Sequence, residues 1–374
     1  MPFIIQPKAI KNLYFFLLLT FIPPVFTNIV FAQCNGVNLE SLTNPGPFEI
    51  ETLTEVDGIR NGPDYLGATI YYPINASPPF ASIAIVPGFI SYPSSVQEWG
   101  PFYASHGIVT IIIGTNSIYD YPESRALALL DALETIKQEN SRILSPLNNA
   151  LNLDQLAVSG WSMGGGGAQR AAVLDNTIAG VIALCPWLPS PEIEHQSPLL
   201  IFSGQKDTVA PPEQHADIHY NETPNTTNKV LFEITNGDHS VANTPNGGRG
   251  AVGKIALSWL KLYVEGNDCY CSLLTDNLLV NNAEASKVSQ NFECESLGIT
   301  NQKLAIGFYP NPTKNTVHLD IPKDVYYKLI SPLGQTLKKG YLAGNNKEID
   351  LSELPTSIYF LSIEGQIIKL MKHN

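Results

Sequence analysis

The sequence predicts an α/β fold, a mostly parallel sheet with helices on both faces, followed by a small all-β sandwich. Three observations carry that reading. Between residues 81 and 264, short apolar β-branched runs alternate with longer amphipathic ones, the signature of buried parallel strands joined by crossover helices. A polar, cysteine-bearing stretch after Gly266 breaks the alternation. From Ile306 onward only short strands separated by turn signals such as Pro310-Asn311-Pro312 and Gly344-Asn345-Asn346 are found.

Residues 1–32 stand apart from the fold. Lys8 and Lys11 precede the short apolar run "NLYFFLLLTFIPPVF", and Val30-Phe31-Ala32 offers a cleavage site before Gln33, so a signal peptide is expected. Pro23 and Pro24 break the run short of the ~20 residues that a membrane span requires. The bulky Gln33 argues against a lipid attachment at Cys34.

The mature chain then reads in order. "FEIETLTEV" (48–56) and "GATIYYP" (67–73) are early strands, expected to be antiparallel, and "ASIAIVPG" (81–88) is the first fully buried one. A helix over 96–105 leads to the strand "GIVTIII". The helix "SRALALLDALETIKQ" leads to the strand "QLAVSG", and a helix over 165–174 leads to "IAGVIALC". The strand "PLLIFSG", the helix "PEQHADIHY", the strand "KVLFEIT" and a helix near 250–264 complete the pattern. The expected division is a signal peptide (1–32), a catalytic domain (33–272), a linker with a disulfide-tied segment (273–304) and a β-sandwich (305–374) of roughly 70 residues, a size that folds alone.

Composition narrows the function. The 374 residues carry a net charge of −12, which argues against a nucleic-acid surface or docking on anionic lipid. Five cysteines in an exported chain suggest disulfides with one thiol left over. Cys185 lies in the apolar run "GVIALCPW" and reads as a small buried hydrophobe, leaving Cys34, Cys269, Cys271 and Cys294 for two bridges in any of three pairings. Zinc at Cys269, Cys271 and Cys294 is the rival, but no histidine lies beside them; no metal and no cofactor are expected, and scattered acids such as Asp217 and Glu222 are expected to solvate the surface.

The stretch "LAVSGWSMGGGG" concentrates the chemistry. Ser162 ends a buried strand and precedes a helix, and Gly160-Trp161-Ser162-Met163-Gly164 matches the G-x-S-x-G nucleophile elbow of the α/β-hydrolase fold. Glycine at 160 and 164 removes side chains that would clash across the turn, and Gly165 to Gly167 allow close backbone approach. A serine hydroxyl needs a base, and the base an orienting carboxylate, here in the chain order Ser, Asp, His. Asp207 in "SGQKDTVAPP" and His239 in "ITNGDHS" each follow a parallel strand on the same rim. The other six histidines fall before strands, within helices or in the appended domain, and Asp238, the rival acid, reads as a turn residue. The oxyanion donors are expected to be the backbone amides of Met163, after the nucleophile, and Phe89, in "VPGFISYP". Trp187 in "CPWLPS" is expected to form an apolar wall beside Ser162, and Trp99 to be core; Tyr92 and Trp161 stay open.

Together "VPGF", "GWSMGGGG", "CPW", "KDTVAPP" and "GDHS" resemble the cutinase and polyester-hydrolase branch of the α/β-hydrolases, which includes bacterial enzymes acting on poly(ethylene terephthalate). The resemblance covers residues 44–266. It implies a triad of Ser162, Asp207 and His239, oxyanion donors at Phe89 and Met163, and an aromatic clamp of Phe89 and Trp187. Most such enzymes carry tyrosine where Phe89 stands, and the disulfide that some place between the acid and histidine loops is replaced by Gly204 and Val241. The tail, with "FYPNPTKNTVHLDI", "LISPLGQTL" and "LSELPTSIYFLSIEGQIIKLMK", resembles the C-terminal sorting domain of the type IX secretion system of Bacteroidetes, with Ser357 where glycine is common. The resemblance implies a partner, the type IX secretion machinery, and export across the outer membrane followed by release or surface attachment.

The expected function is therefore that of a secreted serine ester hydrolase of polyesters or cutin-like esters, poly(ethylene terephthalate) among them, working through an acyl-enzyme as a monomer without a transmembrane anchor in the mature chain. A small-ester or cell-wall carboxylesterase is the alternative within enzymes, and a non-catalytic surface-binding protein the alternative outside them.

Overall fold

The computed structural model describes residue 34 and residues 36–294, 306–321, 324–332, 335–343, 347–363 and 366–373. The expected leader, residues 295–304 of the expected linker and the 344–346 turn lie outside the described residues. Nine strands form the main sheet: β1 (Ile50–Leu53), β2 (Tyr65–Pro73), β3 (Phe80–Val86), β4 (Val109–Thr115), β5 (Leu151–Trp161), β6 (Gly180–Leu184), β7 (Leu199–Gly204), β8 (Lys229–Ile234) and β9 (Ala285–Asn291). Their order is β1-β2-β4-β3-β5-β6-β7-β8-β9. β3 to β8 are parallel where they pair, while β1, β2 and β9 run antiparallel to their neighbours.

Strands β3, β4, β6, β7 and β8 are buried along their whole length, as unbroken apolar runs require. Successive side chains feed opposite layers: Ile83 and Ile85 join one core cluster, Ala84 and Val86 the other. Each buried Ile or Val side chain of this kind contributes about 1.5–3 kcal/mol. Helices α1 (Trp99–Ala104) and α5 (Ala251–Tyr263) cover the first cluster, together with the short α6 (Cys269–Ser272) and the π-helical turn Leu273–Leu279. Helices α2 (Pro122–Ser141), α3 (Met163–Leu174) and α4 (Ala216–Glu222) cover the second. Trp99 is core, 1% exposed. Asp217 on α4 is paired with Lys287 at 2.6 Å.

The region expected as a linker from residue 273 is part of the main sheet's edge. β9 pairs with β8 over Lys229↔Asn291 to Ile234↔Ala285. It is an edge strand with no buried position, so its sequence, ASKVSQN, lacks the apolar run by which inner strands are recognised. The disulfides pair Cys34 with Cys269 and Cys271 with Cys294, and Cys185 is a buried free thiol. The bridge from Cys294 therefore fastens the end of β9 to α6.

Among the described residues seven further strands follow: β10 (Gly307–Tyr309), β11 (Thr316–Asp320), β12 (Val325–Ile330), β13 (Thr336–Leu342), β14 (Glu348–Asp350), β15 (Ser357–Ile363) and β16 (Gln366–Lys372). They form a three-stranded sheet, β10-β11-β14, and a four-stranded sheet, β13-β12-β15-β16. Val317, Leu329, Leu351, Leu361 and Leu370 share one core of their own. Among the described residues no helix is long and apolar enough to cross a membrane.

Candidate active site

The site is built where the parallel strands end. Ser162 sits between β5 and α3 with φ 57° and ψ −121°, a backbone conformation that costs a non-glycine residue about 1–3 kcal/mol and survives only when its surroundings hold it. Those surroundings are hydrogen bonds and close packing. The Ser162 amide donates to Leu184 O at 2.9 Å, and Ser162 O accepts from Gly166 N–H at 3.1 Å and from Trp187 N–H at 2.9 Å. Each glycine of the run has a distinct neighbour: a Cβ on Gly164 would lie 2.5 Å from Val86 O, one on Gly166 2.4 Å from Trp187 O, and one on Gly167 2.8 Å from Arg125 Cβ. A Cβ on Gly88 would lie 2.9 Å from the Ser162 Cβ, which sets how closely the loop before Phe89 approaches the serine.

Asp207 and His239 come from the loops after β7 and β8. His239 Nε2 lies 2.9 Å from Ser162 Oγ and its Nδ1 2.7 Å from Asp207 Oδ2. The second carboxylate oxygen, Oδ1, accepts from the amides of Val209 and Ala210 at 2.9 and 2.8 Å, so the buried carboxylate is held at both ends. Trp161 donates its indole N–H to His239 O at 2.7 Å and its ring lies 5.2 Å from the imidazole, fixing the histidine loop from below the serine. Among the described residues the Asp238 carboxylate bonds only within its own turn, accepting from the Ser240 amide and hydroxyl at 2.9 and 2.8 Å.

The two amides named as oxyanion donors belong to the residue after Ser162 and to the loop after β3. Met163 opens α3, whose first amides have no partner inside the helix and whose dipole is positive at that end. Among the described residues the Phe89 amide has no backbone acceptor either. The Phe89 ring is 36% exposed, and Trp187 is half-buried with its ring 5.6 Å from that of His215. Cys185 lies at the end of β6; burial pushes its thiol well up, and the nearby Asp207 carboxylate pushes it further, so it stays protonated and unreactive.

Other residues of the site carry no sequence motif. Arg125 on α2 is fully buried and donates from Nη1 to Pro87 O at 2.8 Å, from Nε to Asp120 O at 2.9 Å and from Nη2 to Ile118 O at 3.2 Å. Burial lowers its pKa to about 10 against the pull of Asp120, so it remains charged at neutral pH. Tyr119 and Tyr121, in the loop between β4 and α2, flank Phe89. Arginine on a helix and tyrosine in a loop are ordinary there, and only position in space marks them.

Residues 37–294 match the family model described as PET hydrolase-like. The chain belongs to that family. It is 36% identical to cutinase est1 of Thermobifida alba over 61% of this chain and 75% of that protein. It is 35% identical to a bis(hydroxyethyl) terephthalate hydrolase of Streptomyces coelicolor over 54% of this chain and 64% of that one, and 31% identical to lipase 1 of a Moraxella species over 66% and 75%. Membership of this family makes the chain a carboxylic ester hydrolase. Residues 307–373 match the secretion system C-terminal sorting domain, which marks the chain for type IX secretion and places it outside the cell or on its surface.

Proposed function

We propose that the protein is a secreted polyester hydrolase with Ser162 as nucleophile, acting on cutin-like or aromatic polyesters such as poly(ethylene terephthalate). The observation that carries this reading is the unbroken line from Ser162 Oγ through His239 to Asp207, at 2.9 and 2.7 Å, on a strained elbow. His239 accepts the serine proton as the hydroxyl attacks an ester carbonyl, and the Asp207 carboxylate stabilises the resulting imidazolium. Because Asp207 already accepts two backbone amides, its charge cannot swing away from the imidazole during the step. The amides of Phe89 and Met163 receive the developing oxyanion. His239 then protonates the leaving alcohol and activates water to hydrolyse the acyl-enzyme. Phe89 and Trp187 act as apolar walls for the acyl group. The name of the Streptomyces relative supports an aryl ester as substrate. Residues 1–32 are proposed as a leader removed on export.

Wild type and Ser162→Ala, compared on p-nitrophenyl butyrate and on amorphous polyester film, test the reading. Wild type is expected to release soluble acid from the film, and the variant to lose about three to six orders of magnitude in kcat on the small ester with its thermal midpoint unchanged. Activity of wild type on the small ester alone would keep Ser162 and reject the polymer.

A further inference from the structure

We infer that Phe89, Tyr119 and Tyr121 form a rigid aromatic ledge that binds an aryl ring of the substrate chain beyond the ester bond being cut; the inference rests on the polyester reading above. Tyr119 and Tyr121 are each 60% exposed, although apolar ring surface of that size is usually covered. Their rings lie 5.8 and 6.3 Å from that of Phe89, Tyr119 edge-on and Tyr121 tilted, so all three make one patch. The patch begins at the serine: Phe89 follows Gly88, whose Cβ position falls 2.9 Å from the Ser162 Cβ. It continues outward by about one ring contact, the spacing at which aromatic groups pair.

The two loops that carry the patch are bolted together from beneath. Ile118 O accepts both the Ile90 amide at 2.7 Å and Arg125 Nη2, while the same guanidinium holds Pro87 O on one loop and Asp120 O on the other. Ile90 is held at φ 52°, a conformation that this bonding sustains. Asp120, between the tyrosines, accepts the Ser117 amide on its Oδ2, and its charge is opposed by the buried Arg125 guanidinium beneath the loop. An uncharged aromatic surface ordered before binding suits a neutral aryl ester chain, since little freedom is lost when a ring settles on it.

The purified full chain, the Tyr119→Ala/Tyr121→Ala double variant and the corresponding double Phe variant are compared on a soluble terephthalate ester trimer and on p-nitrophenyl butyrate. The reading is the ratio of kcat/KM on the trimer to that on the small ester, which cancels any difference in folded fraction. The Ala pair is expected to lower the ratio about tenfold, chiefly through KM, two ring contacts contributing a few-fold each; the Phe pair keeps the rings and is expected to hold the ratio within about twofold. A ratio unchanged in the Ala pair, with the trimer cleaved well by wild type, overturns the ledge alone. Wild type inert on the trimer but active on the small ester overturns the ledge together with the polyester reading.

Discussion

A single backbone position concentrates the design of the site. Ser162 is held at φ 57° by three backbone hydrogen bonds and by the bare Cα atoms of Gly88 and Gly164. In Gly164→Ala the new methyl would meet Val86 O at 2.5 Å and Pro87 O at 2.7 Å, both backbone atoms of the strand and loop that lead to Phe89. A stability loss of about 1–3 kcal/mol is expected from such overpacking, with a fall in kcat, checked by urea unfolding and turnover of p-nitrophenyl butyrate. Full turnover in that variant would mean that the loop to Phe89 need not sit where it does. Asp207→Asn separates orientation from fold. It keeps the volume but loses the charge beside Nδ1, so kcat is expected to fall about 10⁴-fold while the thermal midpoint changes little. That Ser162, Asp207 and His239 would meet was legible in the sequence because a glycine-flanked elbow and strand-end loops constrain local structure. Tyr119 and Tyr121 were not, since nothing along the chain says that their loop passes beside Phe89.

At the scale of elements, the inner strands were legible and the edge was not. A strand covered on both faces carries a continuous apolar run, as "LLIF" in β7 and "VLF" in β8 do, whereas β9 needs only hydrogen bonds to β8 and so reads as polar linker. The contribution of α2 was similarly hidden: Arg125 looks like a solvent-facing helix residue in "ESRALALL" yet is buried with three backbone carbonyls as its acceptors. Charged donors of this kind contribute about 1.5–3 kcal/mol each, and lysine cannot reproduce the fork. Arg125→Lys is therefore expected to lower the thermal midpoint and to reduce kcat on p-nitrophenyl butyrate about tenfold with little change in KM, because the loop it holds carries the Phe89 amide proposed to receive the oxyanion. A stability loss with kcat intact would make the clamp structural only.

On the scale of the whole molecule, buried histidines link stability to acidity. His195 and His219 have pKa values lowered from 6.5 to about 4, each chiefly by burial; the ring nitrogens of His195 have no hydrogen-bond partner among the described residues, while His219 holds Leu188 O and has its shift deepened by His215. Burial lowers His106 and His215 in the same direction. Below 6.5 the unfolded chain takes up protons that the folded chain refuses until about 4. Stability is thus complete above 6.5 and is lost as pH falls, each such histidine steepening the decline by up to ~1.4 kcal/mol per pH unit. Carboxylates add their own slope, so the informative quantity is a difference between two proteins. His219→Phe removes one of these titrations, whatever its effect at pH 7.5, and is expected to flatten the plot of urea midpoint against pH between 6.5 and 4.5. Parallel plots for wild type and variant would show that His219 finds a compensating partner when protonated, and that its contacts with Gln169 at 3.0 Å and Leu188 O at 3.0 Å rearrange rather than break.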